Sequence, residues 1–203
     1  GVKMAIASEK EGEDGEILVK GPMVTKGYFD DDLATASAYD DSDWFHTRDI
    51  GRVYADGTIG IVGNMNSVIR SKSNTAVYPE QLEILLSEYR CIKESFVFGD
   101  VDAGGEVAIN VKFVLDTAFL KPSEISEAQI TQKLDQVVLE VNIQMADHQC
   151  IKNYVYSFQP LKKTTTLRIK RPSEIRALQA VLDSRNLQFS DLNRQNIDID
   201  PDR

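Results

Sequence analysis

The sequence predicts an α+β protein in two parts, a β-rich subdomain followed by a small α+β unit. Three observations carry that reading. Residues 1–62 consist of short apolar runs broken by Gly, Pro and Asp, a β-and-turn pattern. Beyond about Gly63, helical and extended patterns alternate. The charge changes at the same boundary: residues 1–62 hold 6 Lys and Arg against 13 Asp and Glu, whereas residues 63–171 hold 13 of each.

In the first part, Glu16–Lys20 reads as a strand closed by Gly21-Pro22, and Asp32–Tyr39 as a short helix. Arg52–Tyr54 and Thr58–Val62 flank Ala55-Asp56-Gly57, and Asp-Gly between apolar runs is a strong hairpin signal. The acidic clusters Glu9–Glu16 and Asp40–Asp43 read as solvated loops.

In the second part, Pro79 suits the first turn of a helix that continues with Leu82, Leu85, Leu86 and Tyr89 on one face. Glu80 and Glu83 straddle its start and are expected to favour the helix dipole. Ser95–Gly99 and Val107–Leu115 read as apolar strands. Ile130, Leu134, Val137, Val138, Val141 and Met145 then mark a long amphipathic helix. Asn153–Phe158 reads as a strand, Leu167–Lys170 as extended and Pro172–Leu182 as a helix. The tail, 184–203, has few anchors (Leu187, Phe189, Leu192, Ile197, Ile199) and is expected to be flexible or to dock loosely.

Composition narrows the function classes. With 203 residues, 42% hydrophobic and 27% charged, the chain has the make-up of a globular domain or two. The net charge of −9 gives no basic footprint for nucleic acid. No run approaches the ~18 consecutive apolar residues of a membrane span. Cys91 and Cys150 lie far apart without metal-ligand spacing, and the only histidines are His46 and His148, so no metal site is expected. Two ordinary thiols suit a reducing, cytoplasmic setting. The chain lacks an initiator Met and reads as a processed or excised piece.

Five ordered stretches point further. They are Gly15–Pro22 with Lys26-Gly27-Tyr28-Phe29, Asp43–Gly51 (DWFHTRDIG), Asp56-Gly57 through Gly63, Val77–Glu83 (VYPEQLE), and Pro160–Thr166 with Ile169-Lys170-Arg171. Together they resemble the C-terminal third of adenylate-forming acyl-CoA synthetases, most closely the bacterial long-chain fatty-acid–CoA ligases. The resemblance covers roughly residues 15–175 in order and spacing. It implies that residues 1–62 end a large adenylation domain, that 63–68 form a hinge, that 69–175 form a mobile lid, and that 176–203 are a helical end and polar tail. It also implies ATP or AMP, coenzyme A and a carboxylic acid as ligands. Magnesium would be held mainly by the large domain outside this chain, and the chain alone would not form adenylate. Peripheral contact with a membrane is compatible with the resemblance, which leaves the oligomeric state open.

By that resemblance, Asp49 accepts hydrogen bonds from the nucleotide's ribose hydroxyls, a task suited to two carboxylate oxygens. Asn64 occupies the position of a nucleotide-contacting Arg, and Asn66 and Ser67 occupy the hinge. Arg168 stands where the family has the adenylation lysine, with Lys170 as a second cation nearby. Arg48 and Leu167 replace family glycines, and Asn74-Thr75 replaces a Gly-Lys pair. Without the resemblance, Asp49 is one acid in an acidic segment and Lys162–Arg171 an exposed basic loop. Two alternatives to a working ligase follow. One is a weakened homologue that binds nucleotide or acyl-CoA as a sensor or scaffold. The other is an unrelated α+β interaction domain.

Overall fold

The computed structural model describes residues 1–8, 13–71, 75–101, 105–120 and 124–198. Asn74, Ile199 and the first half of the Glu9–Glu16 cluster, residues 9–12, lie outside these residues. The chain divides into two compact units, Gly1–Val68 and Ile69–Arg203.

The first unit is a four-stranded antiparallel meander of β1 (Lys3–Ala7), β2 (Gly15–Lys20), β3 (Phe45–Val53) and β4 (Ile59–Asn64). Strand β1 goes beyond the sequence reading, because its half-exposed residues alternate only weakly. The helix α1 (Asp32–Ala38) crosses between β2 and β3, and Asp31 caps it by accepting the Ala34 amide at 2.8 Å. The Ala55-Asp56-Gly57 turn closes as expected: Tyr54 N–H donates to Thr58 O at 2.8 Å, and Gly57 takes φ +82, which a residue with a Cβ rarely adopts. Register shifts interrupt the β2–β3 pairing between Glu16 and Leu18, and the β3–β4 pairing between Ile50 and Gly51. The second shift lies one residue beyond Asp49 and sets the register in which Asp49 faces Asn64.

The second unit opens with a short pair, β5 (Ile69–Arg70) and β6 (Ala76–Val77), followed by α2 (Pro79–Ser87). A three-stranded sheet then forms in the order β7 (Ile92–Val101), β8 (Val107–Leu115), β9 (Ile151–Ser157). Strands β7 and β8 run antiparallel, while β8 and β9 run parallel, joined through α3 (Thr117–Leu120) and α4 (Glu127–Asn142). Helix α5 (Arg171–Arg185) follows. A capping box of Ser126 and Gln129 starts α4, one turn before the first apolar residue that marked it in the sequence.

Both faces of the sheet are covered. On one face α2 and α4 pack Leu82, Leu86, Leu134 and Val141 against Val97, Val111, Phe113 and Tyr154. On the other, α5 packs Leu178, Val181 and Leu182 against Phe96, Phe98, Val114 and Val155. Two-sided burial explains why β8 is apolar nearly throughout.

The tail departs from the expectation of a loose segment. Phe189, Leu192 and Ile197 are buried in the α5 core. Arg194 N–H donates to Tyr154 O at 2.7 Å and Ile197 N–H to Tyr156 O at 2.9 Å, so the tail extends the sheet beside the β9 edge. The Asp198 carboxylate accepts from Ser157 Oγ and from the Phe158 amide. Three anchors, each contributing about 1.5–3 kcal/mol on burial, together with an edge strand in need of partners, hold a segment whose composition is mostly polar.

Candidate functional site

In the first unit, Asp49 and Asn64 come together because they are register partners across β3 and β4. Asn64 Nδ2 donates to Asp49 Oδ1 at 2.9 Å, and both residues are half-buried. The Asn64 Oδ1 accepts the Asn66 amide at 2.9 Å. The Asn64 carbonyl accepts from Ser67 N at 3.0 Å, Ser67 Oγ at 2.9 Å and Val68 N at 3.2 Å. Residues 64–68 are thus a hydrogen-bonded turn continuous with β4, and Asn64 ties it to the Asp49 carboxylate.

The approach to Asp49 is strained. Arg48 sits at φ +64, where Cβ meets the backbone. Two bonds hold it there: Arg48 N–H donates to Glu16 Oε1 at 2.9 Å, and Met65 N–H donates to Arg48 O at 2.8 Å. Glu16 also binds His46 Nδ1 through Oε2 at 2.7 Å. The backbone therefore keeps a conformation suited to glycine while the residue is arginine.

In the second unit, Arg168 and Lys170 lie on a short hairpin-like loop. Lys163 pairs with Ile169, Thr164 N–H donates to Arg168 O at 2.8 Å, and Lys170 N–H donates to Lys162 O at 2.8 Å. Leu167 N–H donates to Thr164 O at 3.0 Å and Leu167 itself takes φ +62, a turn closed by a left-handed residue. This corrects the extended reading of Leu167–Lys170. Lys170 is the N-cap of α5 with ψ 71, so it does not share one strand face with Arg168. Both side chains are exposed and make no hydrogen bond or ion pair among the described residues.

The base of that loop is held by carboxylates that the sequence reading did not single out for this role. Glu94 Oε2 accepts the Leu161 amide at 2.8 Å, and its Oε1 pairs with Lys163. Glu174 Oε1 accepts the Lys162 amide at 2.8 Å, and its Oε2 takes Lys112 Nζ at 2.9 Å. The sequence signal was Lys112, a charge inside the apolar run Val107–Leu115. Glu83 does not serve the start of α2 as expected. It lies a turn inside, where Oε1 accepts the Val97 amide at 2.9 Å and Oε2 takes Arg171 Nη2 at 2.7 Å. Burial pushes the Glu83 carboxyl above the usual range, and Arg171 draws it partly back.

Among the described residues no three His, Cys, Asp or Glu side chains converge to hold a metal ion. Nor is any described helix long and apolar enough to cross a membrane.

No family profile matches the chain. A protein of Emericella nidulans named as an acyl-coenzyme A synthetase is 32% identical over 164 residues, which is 80% of this chain and 27% of the relative. The chain is a homologue of the C-terminal portion of adenylate-forming CoA ligases. A 2-succinylbenzoate–CoA ligase of Listeria innocua is 37% identical over 97 residues, 48% of this chain and 20% of that enzyme. The anthranilate–CoA ligase AuaEII, solved in complex with anthranoyl-AMP, superposes with a TM-score of 0.74 at 23% identity, over 90% of this chain and 34% of that one. The chain therefore spans about a fifth to a quarter of the curated relatives it matches. Two of these names specify different acids, 2-succinylbenzoate and anthranilate, and the third specifies none.

Proposed function

We propose that this chain is the C-terminal part of an enzyme that joins a carboxylic acid to coenzyme A. ATP and the acid would form an acyl-adenylate and pyrophosphate, and the coenzyme A thiol would then displace AMP. The observation that carries the reading is the pairing of Asp49, midway along β3 and inside the motif that resembles the family's ribose-binding stretch, with Asn64 at the end of β4.

In this reading Asp49 Oδ2, with Oδ1 oriented by Asn64, accepts the ribose hydroxyls, and Asn64 is the neutral neighbour of the nucleotide. Arg168 and Lys170 supply cations as charge develops on the carboxylate and α-phosphate. Asn66 and Ser67 are the hinge. No described cluster suits a resident metal, so any magnesium would travel with ATP and be held by the portion outside this chain. The motif resemblance favours a long-chain fatty acid, and the relatives' names widen the panel to aromatic acids. In this reading the acid pocket belongs to the portion outside this chain, the chain alone would form no adenylate, and the enzyme would be cytoplasmic.

The test is pyrophosphate release by the full-length protein with ATP, coenzyme A and a panel of fatty and aromatic acids. Release with one acid, reduced at least about tenfold by Asp49→Ala, is the expected result. No release with any acid overturns the proposal.

A second reading, a sensor or scaffold that binds nucleotide without turnover, is favoured by Arg48, Asn64, Asn66 and Leu167-Arg168 standing at ligand-contact positions. Arg168→Lys separates the two. A gain of about tenfold in adenylate formation marks a slowed ligase. Adenylate bound tightly and left unconverted marks a sensor.

A further inference from the structure

We propose that Glu174 is a positioning residue for Arg168 and Lys170: its buried carboxylate, backed by Lys112, sets the loop that carries them. The inference rests on the ligase reading and adds to it a residue that no motif singles out.

Glu174 is 2% exposed, the most buried acid described in the chain. Excluding a carboxylate from water is costly, and an apolar side chain would fill the same space without that cost. What the charge holds is the loop. The Glu174 side chain holds one end, Oε1 accepting the Lys162 amide at 2.8 Å, while the other end is continuous with α5 through the backbone bond from the Glu174 amide to Lys170 O at 3.1 Å. Lys162 O in turn accepts the Lys170 amide at 2.8 Å. The Glu174 side chain thus fixes the Lys162 side of the base, and backbone bonds carry that anchor across to Lys170, below the point where Thr164 faces Arg168. Lys112 Nζ, itself mostly buried, balances the charge through Oε2 at 2.9 Å.

The division of labour within the loop carries the argument. Lys162 is fixed through its amide by Glu174, and Lys163 by Glu94. Arg171 is taken up by Glu83, Glu80 and the Val97 carbonyl. Arg168 and Lys170, together with Lys162 at the base, are the loop cations whose side chains make no hydrogen bond or ion pair among the described residues. A hydrogen-bonded base under the uncommitted side chains of Arg168 and Lys170 is the arrangement a preorganised electrostatic site requires.

The experiment uses Glu174→Gln and Glu174→Ala in the full-length protein, with hydrogen exchange at the amides of Lys162, Thr164 and Lys170 as the structural readout. Glu174→Gln keeps an acceptor of the same shape, so the protein stays testable if the alanine variant fails to fold. The expected result is exchange at least tenfold faster at those amides, with Val111 and Phe113 unchanged. Adenylate formation should fall about 10- to 100-fold in kcat with KM for ATP within about twofold. Thioester formation from supplied acyl-adenylate should stay near wild type, which a merely destabilised protein would not show. Faster exchange with unchanged adenylation overturns the positioning role and leaves the ligase reading standing. Equal losses in both half-reactions reduce Glu174 to a stability residue and overturn it as well. A wild-type protein that forms no adenylate with any acid overturns both.

Discussion

Asn64 Nδ2 donates to Asp49 Oδ1 at 2.9 Å while Asn64 Oδ1 accepts the Asn66 amide at 2.9 Å, so one amide group orients a carboxylate and caps a turn at once. Asn64→Ala removes both bonds and leaves the Asn66 N–H without that acceptor. The expected cost is about 1–2 kcal/mol. Trp44 is the single tryptophan and lies in this unit, so its fluorescence during urea unfolding reports the change. A double-mutant cycle with Asp49→Ala should give a coupling of about 0.5–1.5 kcal/mol. Strict additivity would mean that the Asp49–Asn64 bond contributes nothing.

Arg48 at φ +64 and Leu167 at φ +62 carry a local backbone cost that neither side chain recovers by burial, since both are exposed. The left-handed region costs about 1–2 kcal/mol for a residue with a Cβ, and glycine gives back part of that through its unfolded-state entropy. Arg48→Gly and Leu167→Gly should each raise stability by about 0.5–1 kcal/mol. Asn186, at φ +52 after α5, is the control: asparagine already tolerates this conformation, so Asn186→Gly should change little. A fall in the urea midpoint for both glycine variants would show that contacts of the side chains outweigh the strain.

Much of the fold was legible because its causes are local. Asp56-Gly57 specifies a hairpin within five residues, and the stripe from Ile130 to Val141 marks α4 without reference to anything else. The motif order likewise pointed to the family whose members the chain matches. What escaped depends on distant partners. The tail reads as polar until β9 offers an open edge, and Glu83 reads as a helix-start acid until Val97 and Arg171 reach it from elsewhere in the chain. The Asp49–Asn64 contact depends on a bulge that shifts register by one residue, and spacing along the chain does not encode that. Leu167 read as extended because nothing in a leucine signals a left-handed turn.

The buried tyrosines set the alkaline behaviour. Tyr154 Oη donates to Asp135 Oδ1 at 2.8 Å, and burial first, then this bond, pushes the phenol well above its usual range. Burial raises Tyr156 and Tyr89 too. A raised folded pKa means that the native chain keeps a proton the unfolded chain has lost. This contribution is therefore whole below pH 10 and fades as pH rises beyond it. Absorbance titration at alkaline pH should show fewer of the seven tyrosines ionising near pH 10 in the native chain than in urea. Tyr154→Phe should remove the latest-titrating phenol. All seven ionising together in the native chain would contradict the buried Tyr154–Asp135 bond.

Arg171 offers the sharpest test of how the second unit holds its loop to its sheet. Its Nη2 lies 2.7 Å from Glu83 Oε2 and 3.3 Å from Glu80 Oε1, its Nη1 donates to Val97 O at 3.0 Å, and its guanidinium covers the Phe96 ring at 5.5 Å. Arg171→Leu strands Glu83 in a site that already disfavours its charge, with an expected cost of about 3–5 kcal/mol at neutral pH. Arg171→Lys keeps a charge but loses the fork and the flat contact with Phe96, and should fall between the two. The pH dependence fixes the cause. Burial holds the folded Glu83 carboxyl above its ordinary value of 4.5, so the folded chain binds the proton more readily and its stability declines as pH rises through the raised value. Without Arg171 to draw it down, that value climbs and the window of loss widens upward. The deficit of Arg171→Leu should therefore shrink on going from pH 7 to pH 5, measured as the difference in urea unfolding free energy. A deficit independent of pH would assign the loss to packing on Phe96 instead.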